Sequence, residues 1–256
     1  MKALLRRLLE RGSRNVMLKR KLPACFGGRA IYVSPDAALR FWKPGLDEAD
    51  PLLYALARRF VAPGTVAWDA GANVGLFTFA ASALAGRKGT VVAIEADAWL
   101  QTLLRRSAAE APPDAAPVAV VPAAVADKLG LEPFVIAARG RASNYLDSAV
   151  NTQTGGIRDV QSVITVTLDW LLEYFPAPLV VKVDVEGAEL RVLQGSERML
   201  RQVRPTWLLE VASTCAAEIT RLLREANYAL FRPTPQELLP VNEADWDTVA
   251  IPAERA

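Results

Sequence analysis

Val66-Ala-Trp-Asp-Ala-Gly-Ala-Asn-Val-Gly75 is the stretch that decides the fold: an apolar run ends in an acid, turns glycine-rich, and leads into an apolar helical pattern over residues 73–85. A strand that stops in a turn and feeds a helix is the opening unit of an open α/β sheet, whose ligands sit outside the carboxyl ends of the strands. Gly71 and Gly75 let the backbone approach a ligand closely, and the helix N-terminus offers unpaired N–H groups.

The alternation continues downstream. Residues 90–94 read as a strand and 98–109 as a helix; 118–121, 131–137 and 160–167 read as strands. Residues 168–175 are helical, and 179–183 form a buried strand that ends in Asp184-Val-Glu-Gly-Ala-Glu189. A helix from 188, broken near Gly195 and resumed to 202, precedes a strand at 206–211, a helix at 213–226 and strands at 228–231 and 248–251. Short apolar strands alternating with helices predict a doubly wound α/β architecture with a parallel sheet, because parallel neighbours need crossover connections. Residues 128–166 interrupt this rhythm as an edge insertion, carrying a lid-like loop through Arg139-Gly-Arg-Ala-Ser-Asn-Tyr145.

Upstream, residues 1–48 read as an extension. It comprises a basic helix over 1–20, then a hairpin of strands 29–33 and 38–42 around Ser34-Pro-Asp36. Asp50-Pro51 then opens a helix of the main domain, 49–256. Lys2, Arg6, Arg7, Arg11, Arg14, Lys19, Arg20 and Lys21, interleaved with Leu4, Leu5, Leu8 and Leu9, give that first helix either a packing face or a face for peripheral contact with an anionic membrane.

The chain has 256 residues, 52% of them hydrophobic, enough to bury a full core. Its net charge is +2, so no chain-wide nucleic-acid footprint exists. No apolar run approaches the ~20 residues of a membrane span, and no signal-peptide pattern is present, so a cytoplasmic location is expected. Cys25 and Cys215 lie far apart and read as small buried hydrophobes. Histidine is absent, which excludes imidazole-based hydrolases and most zinc sites and leaves Asp, Glu, Lys or Tyr as general base.

The pattern Asp69-x-Gly71-x-x-x-Gly75 differs from the dinucleotide fingerprint, and no Gly-Lys pair follows as a P-loop requires. About twenty residues beyond Gly75, Glu95 ends the next strand, where a carboxylate accepts hydrogen bonds from ribose hydroxyls. An acid inside the turn repels a pyrophosphate and favours a cationic sulfonium, which makes S-adenosyl-L-methionine the expected cofactor. Asp69, Ala70, Gly71, Asn73 and Gly75, with Glu95, Ala96, Ala124 and Asp127, form its expected cradle, Asp127 or its N–H group meeting the adenine edge.

Trp68-Asp-Ala-Gly-Ala-Asn-Val-Gly75, Ala93-Ile-Glu-Ala-Asp97, Ala124-Val-Ala-Asp-Lys128, Thr167-Leu-Asp169 and Val181-Lys-Val-Asp-Val-Glu-Gly-Ala-Glu189 resemble, in this order, the FkbM family of S-adenosylmethionine-dependent methyltransferases. The resemblance covers about residues 50–212. It implies a class I (Rossmann-like) methyltransferase fold with a mostly parallel seven-stranded sheet, and O-methylation of a hydroxyl on a sugar, glycan or polyketide-like molecule. Ala96 stands where the family usually has proline, and Ala212 where many members carry histidine.

Methyl transfer is an in-line displacement in which the protein supplies alignment, and a hydroxyl acceptor must lose its proton. Asp184 or Glu186 is the expected base, Glu210 the second choice, and Lys182 shares their side of the strand; Asp184 also borders the cofactor. The same carboxylates offer a less favoured site for Mg2+. A structural reading has Glu186 capping the next helix and Glu189 pointing to solvent. A second function class, a catalytically weak or inactive module that binds a glycan or protein partner, rests on the absent histidine.

Overall fold

A computed structural model describes residues 10–149 and 154–256. Strands β1 (Leu18–Lys21) and β2 (Ala30–Val33) pair antiparallel, with Leu18 opposite Val33. Both N-terminal expectations are thereby corrected. Part of the helix read over 1–20 lies outside the described residues. Within them helix persists only to residue 12, and from Leu18 the residues alternate half-buried and exposed with the period of a strand. The expected second hairpin arm is a 3-10 turn, Leu39–Trp42, that buries Phe41; β2 already has its partner upstream.

Helix α1 (Pro51–Phe60) starts as read, with the Asp50 carboxylate accepting from the Leu53 N–H and Pro51 at the first position. There follow β3 (Val66–Ala70), α2 (Leu76–Ala85), β4 (Thr90–Glu95), α3 (Ala98–Ala109) and β5 (Val118–Pro122). The segment after β5 builds its own four-stranded sheet in the order β6 (Ala124–Val125), β9 (Ile157–Val166), β7 (Gly130–Ala137), β8 (Tyr145–Leu146). Then come α4 (Leu168–Leu171), β10 (Val180–Val183), α5 (Glu189–Gln194), a π-helical turn (Met199–Val203), β11 (Thr206–Glu210), α6 (Ala216–Glu225), β12 (Tyr228–Pro233), β13 (Leu238–Pro240) and β14 (Asp247–Pro252).

The large sheet runs β13-β12-β14-β11-β10-β3-β4-β5. Strands β5, β4, β3, β10 and β11 are mutually parallel, while β14 runs antiparallel between β11 and β12. The sheet thus has eight strands where seven are expected: β13, three residues with a proline, is too short to leave a periodic signal. Strand order reverses between β3 and β10, and that switch point opens the crevice in which ligands of such sheets bind. The doubly wound architecture is as read.

Alternate residues of the central strands enter two different cores. Ala67, Val91, Ala93, Val180 and Leu208 face one, and Trp68, Val92, Ile94, Val181 and Trp207 face the other. The first core also contains Leu22, Phe26, Ile31, Val33, Phe41 and Leu46, so residues 22–46 pack as a wall of the main domain. Arg29 pins them, donating to the Ser82 hydroxyl and the Ser107 carbonyl while lying over the Phe79 ring. Cys25 is exposed and Cys215 half-buried, contrary to the buried reading of both. Among the described residues no helix is long and apolar enough to cross a membrane.

Candidate active site

The turn after β3 is shaped by its neighbours before any ligand is considered. Gly71 has φ +77°, and a Cβ there would lie 1.8 Å from the Asp184 carbonyl oxygen. Only glycine lets the ends of β3 and β10 touch. The N–H groups of Gly71 and Ala72 both donate to the Ile94 carbonyl, at 3.0 and 3.1 Å, which ties the turn to β4. Gly75, at φ +87°, meets Phe79 and Leu104; packing, and not ligand approach, explains that glycine.

Glu95 closes this side. It is 6% exposed, and its two oxygens accept from the Asn73 N–H at 2.7 Å and the Asp97 N–H at 2.8 Å. Burial raises its pKa to about 7, against the two backbone donors that stabilise the charge. Asn73 holds a left-handed backbone, φ +53°, and its buried side-chain oxygen has no hydrogen-bond partner among the described residues. A cavity of about 440 Å3 opens here, lined by Gly71, Asn73, Glu95, Ala96 and Ala124 and walled by Ile94, Leu100, Val125, Phe134 and Leu146. Its size and its mixture of apolar wall and few polar groups are those of a small-molecule site.

Lys182 links this side to the next. Its Nζ lies 3.4 Å from Asp69 Oδ1 and 3.1 Å from Asp184 Oδ2, and donates to the Gly71 carbonyl at 3.4 Å. Burial pushes its pKa down, but Asp184 and Asp69 outweigh this and raise it, so the ammonium stays charged. Asp69 Oδ2 accepts from the N–H and hydroxyl of Thr78 at 3.1 and 2.5 Å, fixing the start of α2. Asp69 and Lys182 together form a buried brace behind the turn.

Beyond it, Asp184, Glu186 and Glu210 border both the first cavity and a second of about 420 Å3. Burial, then the Asp184 charge, raises the Glu210 pKa, with Glu186 adding to the rise and Lys182 opposing it. Glu186 takes φ +54°, a conformation that L side chains rarely adopt and that marks strain beside a site. The structural reading of this turn is corrected: the residue before α5 is Ala188 and makes no side-chain cap. Glu189, read as pointing to solvent, is buried, and its Oε1 accepts from the Gly187 N–H at 2.9 Å.

Three expected cradle residues lie elsewhere. Ala70 faces the second core, as strand alternation requires. Gly75 packs on Phe79 and Leu104, as described. Asp127 is engaged 2.6 Å from Arg191, which also pairs with Glu132, so its carboxylate faces that ion cluster. Among the described residues no group of three or more acids or cysteines is arranged to hold a metal ion.

The 139–145 stretch is anchored over the first cavity. Arg141 lies 2.8 Å from Asp36 and 2.5 Å from Asp97, and Asn144 donates to Asp97 at 2.7 Å while accepting from the Ala137 N–H. Arg158 adds a 3.0 Å bridge to Asp36. Asp97, which also caps α3 through the N–H groups of Trp99 and Leu100, thus joins the insertion to the N-terminal wall. Sequence reasoning missed Arg40, Trp246 and Asp247, which line the first cavity. They come from distant segments and carry no motif.

The family model of the FkbM methyltransferase domain matches residues 69–230. The chain belongs to the FkbM methyltransferase family. The match begins at Asp69 and includes Glu95, Asp184 and Glu210. A curated relative, the hexuronic acid methyltransferase AglP of Haloferax volcanii, is 29% identical over 163 residues, which is 63% of this chain and 62% of AglP. The chain therefore matches less than two thirds of that relative's length. Among solved structures, an FkbM methyltransferase from Methylobacillus flagellatus is similar with 18% identity and a TM-score of 0.47, over 77% of this chain and 49% of that one. A precorrin-6y C5,15-methyltransferase from Geobacter metallireducens follows with 13% identity and a TM-score of 0.45, over 80% and 89%.

Proposed function

We propose that this FkbM-family chain transfers a methyl group from S-adenosylmethionine to a hydroxyl of a sugar, glycan or polyketide-like acceptor. The observation that carries the reading is the paired Asp184–Glu210 carboxylates standing across Gly71 from the Asn73–Glu95 cavity. The sugar class draws support from the relative that acts on a hexuronic acid.

The residues fit the cofactor. The unpartnered Asn73 Oδ1 and the buried Glu95 carboxylate are acceptors for a ligand rich in O–H and N–H donors, and the apolar wall from Ile94 to Phe134 suits an adenine ring. When bound, S-adenosylmethionine supplies a methyl group on a sulfonium sulfur and leaves as the thioether S-adenosylhomocysteine. Glu95 holds the ribose hydroxyls. Asp184, kept in place by Lys182, lies between the two cavities and aligns the acceptor for in-line attack. During such a transfer the Glu210 carboxylate, beside Asp184, would take the acceptor's hydroxyl proton. Burial and the Asp184 charge raise the Glu210 pKa, which strengthens that carboxylate as a base in a chain with no histidine.

The test is a methyl-release assay with labelled S-adenosylmethionine over neutral, amino and acidic sugars. Transfer that disappears in Glu210→Gln is expected. S-adenosylhomocysteine binding with no transfer to any acceptor would replace this reading with a binding module, which the alanine at 212 also allows.

A further inference from the structure

The second cavity, about 420 Å3, adjoins the first through Asp184, Glu186 and Glu210 and runs outward past Ser213 and Thr214 to Glu243, Asp245 and Trp246. Among the described residues, six carboxylates line it, from Asp184, Glu186, Glu189, Glu210, Glu243 and Asp245, and no lysine or arginine does. Among the described residues, Lys182 pairs with Asp184, and Arg232 lies 2.6 Å from Asp245.

Two further observations point to a ligand. Glu189 is 2% exposed, and its Oε2 has no hydrogen-bond partner among the described residues. An acceptor oxygen buried without a donor is destabilising unless a donor fills the place. Trp246 is 50% exposed and lines both cavities. Its backbone is fixed, the N–H donating to Asp245 Oδ1 and the carbonyl accepting from the Val211 N–H, both at 2.8 Å. An exposed indole beside carboxylates is an arrangement that recognises ammonium groups, by cation–π attraction and by charge.

We infer that this chamber selects an acceptor carrying an ammonium group, such as an aminosugar, with the amine against Trp246 and Glu243 and the reacting hydroxyl at the Asp184–Glu210 pair. The inference rests on the O-methyl transfer proposed above and deepens it: a uronate carboxylate entering the same chamber meets like charge on nearly every side.

The test uses the full chain loaded with S-adenosylhomocysteine, titrated with three methyl glycosides of one ring: methyl 2-amino-2-deoxyglucoside, methyl glucoside and methyl glucuronide. The aminoglycoside is expected to bind about tenfold more tightly than the neutral one, with the uronide weakest. Trp246→Ala and Glu243→Lys, both at the exposed rim, should each erase about fivefold or more of that preference. Uronide binding as tight as amine binding, or a preference unchanged in both variants, would overturn the inference. Amine-selective binding without methyl transfer would keep the chamber's selectivity and overturn only the transfer reading. Should S-adenosylhomocysteine itself fail to bind, the cofactor reading falls, and the same titration of the unloaded protein still decides the chamber.

Discussion

The two sides of the crevice are built differently. On the β3–β4 side, Gly71, Asn73 and Glu95 are joined by backbone hydrogen bonds between elements that follow one another in the chain. On the β10–β11 side, Asp184, Glu186 and Glu210 are joined by charge, and the walls around them come from Arg40, Asp50 and Asp247 as well. The first side is a rigid mould. The second is a high-energy cluster of acids held by one lysine, with a strained Glu186 at its rim. On the function proposed above, cofactor binding falls to the mould, and chemistry and acceptor choice to the cluster.

The strongest way to separate the two sides is Glu210→Gln. Loss of the proton acceptor should lower kcat by about 10²–10⁴-fold, while the affinity for S-adenosylhomocysteine stays within about twofold; steady-state kinetics and calorimetry read both. An equal loss of cofactor affinity would merge the two sides into one.

Gly71→Ala attacks the junction between them. With its Cβ driven 1.8 Å from the Asp184 carbonyl oxygen at φ +77°, the variant should lose about 3 kcal/mol or more of unfolding free energy, measured by urea denaturation. Near-wild-type stability would show that the turn is freer than described.

The mould should also carry a pH signature. The Glu95 pKa, raised by burial from 4.5 to about 7, means that between those values the folded protein holds a proton that the unfolded chain has released. Stability therefore falls as pH rises through this window, by at most about 1.4 kcal/mol per unit. Ribose hydroxyls need the ionised carboxylate, so S-adenosylhomocysteine affinity should rise over the same interval and level off above about pH 7. Glu95→Gln should flatten both profiles. Profiles unchanged in the variant would assign the titration to another group.

The smallest expected effect belongs to Glu186→Gly. Relief of the left-handed backbone should raise stability by about 1 kcal/mol, read as a higher midpoint of denaturation, while loss of the carboxylate lowers turnover. A destabilised variant would show that the Glu186 side chain matters more to the fold than its backbone strain costs.

This division also explains what was legible in the sequence. The mould was readable because its acid, its glycines and Glu95 lie at strand ends whose apolar runs announce themselves, and α3 was placed to the residue, Ala98 to Ala109. The alternation that gave the doubly wound sheet did not give β13, nor β1, whose lysines and arginine hid a strand in what looked like a basic helix. Ala70 adjoins Asp69 in the turn and Asp127 follows the third strand, but strand alternation and Arg191 turn them elsewhere. Nothing local marks Arg40, Asp97 or Trp246 as parts of one site; their meeting depends on the insertion folding over the N-terminal wall through Arg141 and Asp36.

The most direct test of the central claim is isothermal calorimetry of S-adenosylhomocysteine with the wild-type chain, Glu95→Gln and Glu210→Gln at pH 8. Binding by wild type and Glu210→Gln within about twofold of each other, and at least about tenfold weaker binding by Glu95→Gln, is the predicted result. No binding by the wild-type chain, or equal binding by all three, would contradict it.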